Sequence, residues 1–91
     1  MTMATSDKES ANSIPIRVLF FSFAAERVGD HQRAREVPRG TTVADVFRLY
    51  EAELGAPANR FLFAVNEVWA PGDRRLEAGD VVAIIPPVAG G

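Results

Sequence analysis

Ninety-one residues with a formal net charge of −2 allow one small domain and give no nucleic-acid signal. The chain has no cysteine, which removes disulfides, thiolate metal sites and a thiol nucleophile in one step. No apolar run approaches the length of a membrane span.

Met1 to Ser13 is polar, carries Asp7, Lys8 and Glu9, and lacks the apolar middle of a secretory signal. It reads as a disordered leader on a cytosolic protein, with residues 14–86 as the folded domain. Ile14 to Phe21 predicts a first strand. Ile16, Val18 and Phe20 fall on one face, and Arg17, Leu19 and Phe21 on the other. Ser22 to Gly29 reads as a connection, closed by a turn at Gly29 and Asp30. His31 to Val37 predicts a second strand, weak in propensity because arginines and glutamate fill it, and so an edge.

Thr42 opens a helix. Asp45, three residues on, approximates a capping box. Val43, Val46, Phe47, Leu49, Tyr50 and Leu54 recur at helical spacing as one broad apolar face. Gly55 and Pro57 stop the helix at Leu54. Phe61 to Val65 is a third strand, Asn66 and Glu67 a tight turn, and Val68 to Ala70 a short fourth strand. Leu76 is an isolated apolar residue that plugs into the core. Ala78, Gly79 and Asp80 turn the chain into a final strand, Val81 to Ile85. The order predicts an α+β fold, a mixed sheet with one main helix packed across it. The strongly apolar first and last strands suit central, neighbouring places.

The rest of the chain serves to present its last residues. Pro86 and Pro87 end the final strand, since neither has an N–H to donate and each fixes φ. Val88 and Ala89 are small, and Gly90 and Gly91 can enter a channel too narrow for a side chain. Residues 87–91 form an extended tail that reaches at most about 17 Å. Its one reactive group is the α-carboxylate of Gly91, a poor electrophile until ATP-dependent adenylation makes it an acyl-adenylate. Attack by an amine would give an amide with a lysine; attack by sulfur would give a thiocarboxylate. Either needs a partner enzyme, because the chain has no Gly-rich phosphate loop of its own. His31 stands alone without a second metal ligand, and Asp73, Arg74 and Arg75 read as a solvated face.

Val18-Leu19-Phe20-Phe21, Glu26 to Gly29, Thr42-Val43-Ala44-Asp45, Ala64-Val65-Asn66, Leu76 with Gly79-Asp80, and Ile84 to Gly91 together carry a resemblance over Ile16 to Gly91. The chain resembles the ubiquitin-like β-grasp sulfur carriers, the family of molybdopterin synthase small subunits. The closing Pro-Pro-Val-Ala-Gly-Gly is the specific part. Ala25 stands where the family commonly has arginine, and the segment between Gly55 and Phe61 is short for the family.

The resemblance implies a β-grasp fold and a protein cosubstrate that binds no cofactor itself. An E1-like enzyme would adenylate Gly91 with ATP, and a sulfurtransferase would convert it to a thiocarboxylate. The tail, Pro86 to Gly91, would then enter the large subunit of molybdopterin synthase and give sulfur to a pyranopterin precursor. The acid–base residues would belong to that large subunit. If Val82 and Ile84 join the core, Ile85 points out beside Phe21, and Trp69 extends the same patch. The resemblance implies docking through these three positions. Rival readings are a sulfur carrier for thiamine, cysteine or tRNA thiolation, a ubiquitin-like modifier joined to lysines, and an interaction module with an incidental tail.

Overall fold

In the computed structural model, which describes residues 12–87, the alternation of the first strand sets the position of the core. β1 (Ser13–Phe20) buries Ile14, Ile16, Val18 and Phe20 on one face and leaves Arg17 exposed on the other. The strand starts at Ser13, one residue inside the expected leader, because Ser13 pairs with Pro38. The remainder of the expected leader, residues 1–11, and the tail residues 88–91 lie outside the described residues.

The sheet has five strands in the order β2-β1-β5-β3-β4, with β2 at Gln32–Pro38, β3 at Leu62–Val65, β4 at Val68–Trp69 and β5 at Val81–Ile85. β1 runs parallel to β5; the pairs β1–β2, β3–β5 and β3–β4 are antiparallel. The apolar β1 and β5 are central neighbours, and the arginine-rich β2 is an edge, as their compositions predict. Asn66 and Glu67 both take positive φ, as a two-residue hairpin between β3 and β4 requires.

The main helix, here α2 (Val43–Leu54), lies on the core face. Its start is a full capping box. Thr42 Oγ1 accepts from the Asp45 N–H at 3.2 Å, and the Thr42 N–H donates to Asp45 Oδ2 at 3.1 Å. Two further amides of the first turn, those of Val43 and Ala44, donate to the carbonyls of Arg74 and Gly72. The loop before β5 is thereby fastened to the helix start, and Leu76 is buried beneath it. Phe47 packs against Phe61 and Phe63, and Phe20 meets the Tyr50 ring edge-on at 4.9 Å.

Four expectations need correction. Ser22–Gly29 is more than a connection, since it contains α1 (Phe23–Val28), which buries Ala24, Ala25 and Val28. Leu49 is 46% exposed and does not belong to the helix's core face. At 100° per residue it sits about 120° round from Val43. Phe61 is buried but precedes β3, at the end of a 3₁₀ turn (Ala58–Arg60). Ala70 follows β4 rather than extending it.

Candidate functional site

Among the described residues, the helices lie on one face of the sheet. On the other, the register aligns Leu19, Ala83, Ala64 and Trp69 in one row across β1, β5, β3 and β4. The row reads large, small, small, large, so the sheet is concave by composition. A second row holds Ile85 opposite Leu62, and the Phe21 N–H donates to the Ile84 carbonyl at 3.3 Å, which keeps Phe21 alongside Ile85. The result is a groove of about 580 Å³ lined by Leu19, Phe21, Ala64, Trp69, Ala83 and Ile85, with Asn66, Glu67 and Val81 at one end.

Phe21, Trp69 and Ile85, which the sequence put on one patch, all line this groove. Trp69 is 66% exposed and Phe21 is 45% exposed, so neither is a core residue. Exposed aromatic side chains grouped in a concave apolar surface make this groove the candidate interaction site. Pro86, next along the chain, is buried, whereas Pro87 is exposed. The described chain therefore ends on the surface, two residues beyond Ile85 of the groove. Val88, Ala89, Gly90 and Gly91 lie outside the described residues.

Phe21 owes its position to a turn. The Ala24 N–H donates to the Phe21 carbonyl at 3.0 Å, and Ser22 adopts φ 56° and ψ −136°. This is the first central position of a type II′ turn, where glycine is usual. Val28 is followed by Gly29 in a left-handed conformation that closes α1. Arg27 then ties α1 to α2, donating from Nη1 to the Leu54 carbonyl at 3.1 Å.

The root of β5 is held by a network that sequence reasoning missed. Asp80 is buried and accepts from the Glu77 N–H at 2.8 Å, the Asn66 side-chain amide at 2.9 Å and Arg74 Nη1 at 3.2 Å. Burial opposes its ionisation, but these donors outweigh it and hold the carboxyl below its ordinary value. The signal available in sequence was an Asp directly before an apolar strand, too common to identify a hub. Arg74, expected on a solvated face, serves this hub. His31 is exposed, and among the described residues no group of His, Asp or Glu side chains could hold a metal ion. Nor is any helix among them long and apolar enough to cross a membrane.

A mixed five-stranded sheet, one long helix across a single face and a last strand running out beside an apolar groove define a ubiquitin-like β-grasp protein. The chain belongs to the ThiS family, whose model matches residues 18–91. It is 34% identical to the molybdopterin synthase sulfur carrier subunit of Caenorhabditis briggsae, an alignment spanning 86% of this chain and 99% of that one. Among solved structures, small archaeal modifier protein 1 of Haloferax volcanii superposes with a TM-score of 0.71 at 21% identity, over 82% of this chain and 99% of the other. A chain from the complex of subunits 1 and 2 of molybdopterin-converting factor of Helicobacter pylori superposes with a TM-score of 0.59 at 18% identity, over 86% and 100%. At these identities the two structures bear on the fold alone.

Proposed function

We propose that this chain is the sulfur carrier of a molybdopterin synthase. Gly91 is its reactive residue and Gly90 the unhindered approach to it. The observation that carries the reading is the apolar groove on the helix-free sheet face of the described residues, which includes Ile85 at the end of the last strand, six residues before Gly91 in the sequence. A carrier needs a surface that grips its partner and a tail that reaches into it. Binding energy made on the body then orients the distant carboxylate. The names of the curated relatives support the same reading.

On this reading one Gly91 carboxylate oxygen attacks ATP in an E1-like activating enzyme and pyrophosphate leaves. Hydrosulfide, released from a sulfurtransferase persulfide by a reducing thiol, attacks the acyl carbon and displaces AMP, which leaves a thiocarboxylate. The large synthase subunit then receives the tail, Pro86 to Gly91; the thiocarboxylate sulfur bonds to a carbon of the pyranopterin precursor in place of an oxygen substituent, and water cleaves the acyl–sulfur bond to return the Gly91 carboxylate. The chain contributes no acid–base group and no bound cofactor to these steps, and ATP is consumed on the partner. The setting is the cytoplasm.

Intact-protein mass spectrometry tests this after incubation with the activating enzyme, ATP and a sulfur donor. The expected product is the oxygen-to-sulfur exchange on the full chain, and its loss when Gly91 is deleted, since the shortened tail ends about 3.5 Å early. An amide adduct with a lysine in place of the thiocarboxylate would make the chain a protein modifier. A normal thiocarboxylate on the truncated chain would remove Gly91 from its role.

A further inference from the structure

The centre of the groove is built from two alanines, at positions where strand stability favours larger side chains. β5 is otherwise valine and isoleucine, yet its central outward position is Ala83. Ala64 is its direct partner on β3. Alanine is depleted in strands, where β-branched residues pack better on the pleated surface. Two adjacent alanines, flanked in register by Leu19 and Trp69, leave a depression bounded by taller walls. The walls stand three strand spacings apart, about 14 Å between backbones.

Resting on the function proposed above, we infer that Ala64 and Ala83 form a socket for one bulky apolar side chain, aromatic or branched aliphatic, projecting from the large synthase subunit. The occupant follows from two features. With Gly91 as the reacting residue, it lies only four residues beyond Pro87, at most about 14 Å of chain. Any protein that takes the carboxylate must therefore press against the end of the sheet where the groove opens beside Ile85. The floor offers no hydrogen-bonding side chain; Asn66 and Glu67 sit at one end, and the Trp69 wall carries only its indole N–H. A projecting apolar group excludes water there, while a polar one would be left unpaired.

The socket makes a prediction of sign that a flat apolar patch does not. Adding methyl groups to a flat patch enlarges the apolar contact, so binding tightens or stays the same. Adding them to an occupied socket expels the partner's side chain, as overpacking a filled core does. Calorimetric titration of the large subunit with the full-length wild type, Ala83→Val and Ala83→Leu decides between them. The expected result is a dissociation constant raised about tenfold or more for Ala83→Leu, with Ala83→Val between it and the wild type. Thermal unfolding should be unchanged or raised for Ala83→Val, since valine favours the strand. Ala64→Val carries the same expectation from the neighbouring strand, so a folding defect at one position leaves the other to decide. Wild-type or tighter binding by the folded variants overturns the socket alone. Failure of the wild type to bind the large subunit overturns the proposed function and the socket with it.

Discussion

The Asn66 side chain joins the β3–β4 hairpin to the start of β5 through Asp80. Its amide nitrogen donates to Asp80 Oδ1 at 2.9 Å, and its oxygen accepts from the Val81 N–H at 3.0 Å. Asp80 also takes Arg74 and the Glu77 N–H, so one carboxylate gathers the hairpin, the loop at the helix start and the strand that leads to the tail. Its folded-state pKa lies below the unfolded value of about 3.9. The stability it contributes is complete above that value and is lost as pH falls through the folded one. Asp45, lowered first by its hydrogen bonds within the Thr42 capping box, acts in the same direction. Asp80→Asn should cost about 1–3 kcal/mol at neutral pH, because one of the two acceptor oxygens becomes an NH2 that faces either the Asn66 amide or the Glu77 N–H and Arg74. In denaturant melts across pH, the gap between wild type and Asp80→Asn should narrow below about pH 4. A gap undiminished well into acid would mean that the carboxylate's charge is not what holds the network.

Tyr50 carries a different kind of polar atom. Its hydroxyl is buried and has no hydrogen-bond partner among the described residues. The ring itself is well held, edge-on to Phe20 with the Arg35 guanidinium 5.6 Å from its centroid. Removing an unsatisfied buried hydroxyl relieves a desolvation cost. Tyr50→Phe should therefore leave stability unchanged or raise it by about 1 kcal/mol in urea unfolding. A loss of more than that would reveal a bonded partner for the hydroxyl.

Ser22 holds backbone angles that a residue with a Cβ adopts at a cost. Glycine takes them freely, at some cost in unfolded-state entropy. Ser22→Gly should stabilise the fold by about 1 kcal/mol, raising the thermal midpoint by a few degrees. A lowered midpoint would show that the serine side chain compensates the turn.

The helix face separates what sequence could read from what it could not. Period 3.6 finds Val46, Phe47 and Tyr50, each fully buried, but it admits Leu49 because an apolar residue at the margin of a stripe looks like one within it. Only the sheet beneath decides where the stripe ends. Phe47→Ala should cost about 3–5 kcal/mol, and Leu49→Ala well under 1 kcal/mol. Equal costs in chemical unfolding would return Leu49 to the core. The six-residue helix α1 escaped for a related reason, since one and a half turns give periodicity too little to act on. Its marks were the turn at Ser22 and the glycine cap at Gly29. The face of β1 was legible because period 2 is strict, whereas β5, apolar on both sides, left its inward set open until the fold placed Val82 and Ile84 inside. Knowing that Val18, Val82 and Ile84 go inside sends Leu19, Ala83 and Ile85 out. The Asp80 hub was not legible, because its donors come from chain segments 3 to 14 residues away that meet only in the folded sheet.

Trp69 occupies the wall of the groove on a strand of two residues, and Phe21 lies at the end nearest the tail. Both are exposed, so neither contributes much to folding. Removal of either should therefore spare the fold and strike association. Aromatic side chains that fill a partner's surface are frequent sites of concentrated binding energy. Trp69→Ala and Phe21→Ala should each weaken binding to the large synthase subunit by about 2 kcal/mol or more, close to thirtyfold in the dissociation constant. The thermal midpoint should move little, and adenylation at Gly91 should persist wherever the activating enzyme does not use the same face. Calorimetry reads the affinity, and circular dichroism reads the fold. Wild-type affinity in both variants would take the docking surface off this face of the sheet. A collapse of the fold in Trp69→Ala would mean that the tryptophan stabilises the hairpin it ends.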